Sequence, residues 1–171
     1  MLLTEDRERP VEHWTRQLPQ LLEPLGMHAQ VASTGAQAYR LAQSQRFHVA
    51  VIDLDTPPGE PVPGAPFDTP SNPAPAGTST TSTSGVSGVS GGGGGGGLWL
   101  LEVLSRLPEH PPIVVVNPHV YSQRQVARLL QQALRLGAFS VVNRPVHPEG
   151  LLRTIAALVD RRYHGQWPTP E

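Results

Sequence analysis

Cysteine and lysine are both absent, so all thirteen basic side chains are arginine. The lack of cysteine rules out disulfides, thiolate zinc sites and cysteine nucleophiles, and it fits a reducing compartment. Aromatic residues make up only 5% of the chain, and no apolar run approaches the ~20 residues that span a bilayer. The opening Met-Leu-Leu-Thr-Glu-Asp has neither the basic start nor the long apolar core of a signal peptide. A cytoplasmic protein without a membrane partner is therefore expected. A formal net charge of -1, with no basic stripe, gives no pull toward a phosphate backbone, so a nucleic-acid partner is not expected either. The seven histidines show no paired ligand spacing, which argues against a histidine metal centre.

Proline and glycine are abundant, at nineteen and seventeen residues, but they are concentrated between Pro57 and Gly97. Within 58–97 lie Thr-Ser-Thr-Thr-Ser-Thr-Ser and seven consecutive glycines, with almost nothing apolar to bury. Such a composition cannot offset the entropy of ordering its backbone, so a disordered insertion is expected there. The glycine run is not a phosphate loop, because no Lys-Ser or Lys-Thr follows it. At 171 residues the chain suits one domain, expected over 1–163 around the insertion, with a flexible tail at 164–171.

Outside the insertion, short apolar runs alternate with helical patterns, the signature of β-α units around a parallel sheet. Strands are expected at Met1–Thr4, His28–Ala32, Val49–Asp53, Ile113–Val116 and Ser140–Val142. The helices expected between them run from about Pro10 to Leu25, through Ala38–Ala42, over Leu98–Leu107, over Ser122–Leu136 and from Pro148 to about Arg162. Pro19 falls inside the first and should kink it. The fold class is α/β, a doubly wound (βα)5 flavodoxin-like sheet of order 2-1-3-4-5.

That order makes the first and third strands neighbours, so Glu5 and Asp6 would meet Asp53 at one C-terminal edge, where open α/β sheets place their ligands. Clustered carboxylates suit a hard divalent cation such as Mg²⁺. In these features the chain resembles the receiver domains of two-component response regulators over all but the insertion and the tail. The resemblance identifies Glu5 and Asp6 with the acidic pair that binds Mg²⁺, and Asp53 with the phosphoacceptor, followed by Pro57 in Val-Ile-Asp-Leu-Asp-Thr-Pro. It aligns Gly137, Ala138, Val141, Val142, Arg144 and Pro145 with the family's Gly-Ala, strand and Lys-Pro. What it implies is a single-domain receiver in a phosphorelay, served by a histidine kinase or phosphotransfer protein, and not an enzyme.

Three positions depart from the family pattern. Arg144 replaces a lysine that contacts the phosphoryl group, Asn117 replaces a Thr or Ser, and Val141 stands at an aromatic switch position. Arginine keeps the charge but presents a planar fork, and Asn117 offers an amide without a hydroxyl. Asp55, two residues beyond Asp53, is placed to act on an attacking water. Simpler roles stay open at each position: a cap of the following segment for Asp53, solvated charge for Glu5 and Asp6, a structural salt bridge for Arg144, a turn residue for Asn117. The alternative function is a pseudo-receiver, an interaction module that works without phosphorylation. A small flavodoxin-like enzyme would need a nucleophile with a base, or a cofactor loop, and neither is visible.

Overall fold

The computed structural model describes residues 1–5, 14–65, 95–117 and 123–167. Its strands are β1 (Leu2–Thr4), β2 (Gln30–Ala32), β3 (Ala50–Asp53), β4 (Ile113–Val116) and β5 (Ser140–Val142). The helices are α1 (Trp14–Leu22), α2 (Gly35–Ser44), α3 (Gly95–Ser105), α4 (Gln123–Arg135) and α5 (Pro148–Tyr163). All strand pairs are parallel and the order is β2-β1-β3-β4-β5, matching the expected one. No described helix is long and apolar enough to cross a membrane.

Alternation along each strand divides the core into two layers. Leu2, Ala50, Ile52, Ile113 and Val115 face one side, where Tyr39 of α2, Leu100 and Leu104 of α3 and Ala133 of α4 cover them. Leu3, Val51, Val114 and Val116 face the other, under Trp14, Leu18 and Leu22 of α1 and Leu151, Ile155 and Leu158 of α5. Both faces of β3 and β4 are thus buried, which is why these strands read as unbroken apolar runs. Pro19 is accommodated inside α1. The stretch after it, Glu23–Leu25, tightens into a 3-10 turn that ends at Gly26 with φ of 73°. The expected first turn of α1 from Pro10 lies outside the described residues.

The insertion begins later and ends earlier than its composition implies. Residues 58–65 are anchored: the amides of Gly35 and Ala36 donate to the carbonyls of Pro57 and Pro58 at 2.8 and 2.9 Å, and Val62 and Ala65 pack on the core. At the far end Gly95, Gly96 and Gly97 form the first turn of α3. Packing overrides propensity here, because α3 starts directly on the chain leaving β3. A Cβ on Gly97 would lie 2.3 Å from the Asp53 carbonyl oxygen, and one on Gly96 would lie 2.5 Å from the Pro57 carbonyl. Only glycine permits so close a backbone crossing. The rest of the expected disordered stretch, 66–94, lies outside the described residues, as does 168–171 of the expected tail. The first part of that tail is placed, since His48 makes edge contacts with Tyr163 and Trp167.

Gly97→Ala should therefore destabilise the fold by about 1–3 kcal/mol, the usual cost of overpacking. Gly150→Ala, on α5 with open space around it, should instead stabilise by up to about 1 kcal/mol through helix propensity. Urea unfolding of the two variants would show the opposite signs.

Candidate functional site

The site forms where β1, β3, β4 and β5 run out at the same edge of the sheet. Main-chain bonding continues one residue past each of three strands: Glu5 N donates to Ala32 O at 3.0 Å, Leu54 N to Val116 O at 3.2 Å and Asn117 N to Val142 O at 2.9 Å. Asp53 ends β3 opposite Val116 of β4. It is only 3% exposed.

Both carboxylate oxygens of Asp53 are engaged. Oδ1 accepts the amide of Asp55 at 3.0 Å, a local turn typical of aspartate. Oδ2 is in direct contact with Nη2 of Arg144. The same Nη2 lies 3.8 Å from Oδ2 of Asp55, and Arg144 Nε donates to the main-chain carbonyl of Asn117 at 2.7 Å. The guanidinium thus ties the ends of β3 and β4 to the segment after β5. The ion pair is the salt bridge that the simpler expectation for Arg144 describes.

Beneath Asp53 lies a pair of fully buried threonines that sequence reasoning missed. Thr4 Oγ1 accepts the Asp53 amide at 2.9 Å and the Thr56 hydroxyl at 2.8 Å. Thr56 N also donates to Asp53 O at 3.1 Å. A signal is present in the two threonines flanking strand ends, but their pairing is visible only once β1 lies beside β3.

The other expected residues have contacts of their own. Glu5 Oε2 accepts the Thr15 hydroxyl of α1 at 2.9 Å. Asn117 turns its amide to Asn143 Oδ1 at 2.9 Å, while its own Oδ1 is buried without a hydrogen-bond partner among the described residues. Val141 is half-buried and packs on the α2-α3-α4 layer. Asp6 lies outside the described residues. Among the described residues no three His, Cys, Asp or Glu side chains converge, and Asp53 and Asp55 already share a guanidinium. The described residues therefore do not by themselves fit the Mg²⁺ set that the resemblance implies.

Burial raises the Asp53 carboxyl above its ordinary value of 3.8, and the charge and hydrogen bond of Arg144 oppose that rise without cancelling it. A carboxyl raised on folding binds its proton more tightly in the native state, so stability drawn from it falls as pH climbs from the ordinary carboxyl value through the folded one, then levels off. In metal-free buffer the wild type should accordingly lose stability relative to Asp53→Asn across that window, read from urea midpoints at a series of pH values. Thr4→Val should cost about 1–3 kcal/mol, the penalty for leaving the buried Asp53 amide unpaired, measured the same way at neutral pH.

No protein-family model matches the sequence, nor does any curated protein. Solved structures do match. A CheY-like response regulator receiver domain protein from Methanospirillum hungatei is 17% identical, with a TM-score of 0.60 over 96% of both chains. A Francisella response regulator receiver domain is also 17% identical, with a TM-score of 0.58 over 94% of this chain and 95% of that one. A Burkholderia pseudomallei response regulator, solved with a phosphorylated aspartic acid, a calcium ion and citrate, shares 17% identity and a TM-score of 0.55 over 98% of this chain and 75% of its own. At these identities the likeness is one of fold: the chain has the receiver architecture.

Proposed function

We propose that the protein is a receiver that accepts a phosphoryl group on Asp53 in a phosphorelay. The observation that carries this reading is a buried carboxylate at the C-terminal end of β3, held against an arginine, in a fold shared with a response regulator that was solved phosphorylated on an aspartic acid. In the transfer, an Asp53 oxygen attacks phosphorus, an acyl phosphate forms, and the P–N bond of a donor phosphohistidine breaks. The proton needed by the leaving imidazole comes from solvent. The donor is a histidine kinase or a phosphotransfer protein, and the setting is the cytoplasm. Arg144 can follow the new charge, because its fork binds phosphoryl oxygens as readily as carboxylate oxygens. The chain itself receives the group and turns over no substrate, so its output is a changed contact surface.

The pseudo-receiver is a second reading, favoured by one observation: the Asn117 amide bonds to Asn143 where a hydroxyl would otherwise face the phosphoryl group. Incubation with acetyl phosphate, with and without Mg²⁺, followed by mass spectrometry separates the two. A single phosphoryl adduct on Asp53 that disappears in Asp53→Asn supports the receiver. A wild type that stays unmodified under both conditions supports the interaction module.

A further inference from the structure

A groove of about 740 Å³ runs between α1 and α5, the two helices that cover one face of the sheet. Its apolar lining is Leu21 of α1 with Pro148 and Leu152 of α5. Leu21 is 44% exposed and Leu25, in the turn after α1, is 59% exposed; they are two of the three large apolar side chains left in solvent among the described residues. Glu149 and Arg153 line the same groove one turn apart on α5. Elsewhere in the chain the same order and spacing closes an ion pair, Glu102 with Arg106 at 2.9 Å, as expected for a glutamate four residues before a cation on a helix. Glu149 and Arg153 are both exposed, yet they form no ion pair with each other or with any described residue. The helix N-terminus favours the charge of Glu149 but leaves Arg153 without a counter-charge. Between them Gly150 has nothing within 4 Å of where a Cβ would stand, so the backbone there is open to close approach.

We propose that this groove is the interface of a homodimer, in which α5 packs antiparallel on α5 of a second copy across a two-fold axis at the level of Leu151. A two-fold interface must be complementary to itself. One acid and one base at equal distances from the axis meet that condition, because Glu149 of each copy then stands opposite Arg153 of the other. Leu21, Pro148 and Leu152 supply the apolar centre that such an interface needs. The contact does not involve Asp53 and stands apart from the phosphoacceptor reading.

Sedimentation velocity of the unphosphorylated full chain, at concentrations up to about 1 mM, should show the monomer giving way to a species of twice its mass. A wild type that stays monomeric throughout overturns the proposal. Glu149→Arg and Arg153→Glu should each weaken association at least about ten-fold, because each reversal creates two like-charge contacts across the axis. Combining the two changes in one chain restores opposite charges and should return the affinity to within about three-fold of wild type. An equimolar mixture of the two single variants should likewise form a mixed dimer. Failure of either rescue, or a dimer indifferent to the reversals, places the contact elsewhere and overturns the proposal. Leu21→Gln, on the other helix, should weaken association as well. If circular dichroism finds a reversal variant unfolded, Leu21→Gln decides: weaker association supports the interface, and unchanged association overturns it.

Discussion

Hydrogen bonding of β3 on both of its edges is the constraint from which the site follows. With β1 on one side and β4 on the other, and with a helical layer over each face, the strand has no route to solvent except at its ends. A carboxylate at its C-terminal end is therefore taken almost entirely out of water. The cost of burying that charge must be met locally, and the Arg144 guanidinium and the Asp55 amide are the groups that meet it. The ion pair is a consequence of the sheet order as much as of chemistry, because it needs the segment after β5 to sit two strands away from β3.

The legible part of the fold is the part governed by periodicity. Val49–Asp53 and Ile113–Val116 read as buried strands because both faces are covered, and the helical spacing of Trp14, Leu18 and Leu22 survives in α1. The 2-1-3-4-5 order follows from the βα alternation and the family likeness, and it matches the observed sheet. Composition misleads at the margins of the insertion. Gly95–Gly97 carry no sign in their side chains that they belong to a helix; the reason is a backbone crossing over Pro57 and Asp53 that only the folded chain contains.

The site is legible in part. Asp53 stands out by its position at a strand end and Arg144 by the family resemblance, and the structure brings them into contact. The two threonines are visible in the sequence one by one, but Thr4 and Thr56 become a pair only once β1 lies beside β3. Asn117 draws attention for its side chain, yet what it gives to Arg144 is its main-chain carbonyl, and any residue type could supply that. Sequence reading assigns chemistry to side chains and is blind to the acceptors every residue carries.

The anchoring of the insertion has a consequence for how such a chain can change over time. Pro57 and Pro58 are held on the start of α2, and Gly96 and Gly97 are held on the exit of β3, so both edges of the intervening sequence are fastened to one rigid seam. Each edge is held by its own contacts rather than by the sequence between them, so a change in the length of that sequence leaves those contacts in place. Repeat slippage at the level of the gene would be nearly silent for the sheet. The seam marks a point where new recognition sequences could be acquired, lengthened or discarded directly beside the carboxylate, while the rest of the domain evolves on its own schedule.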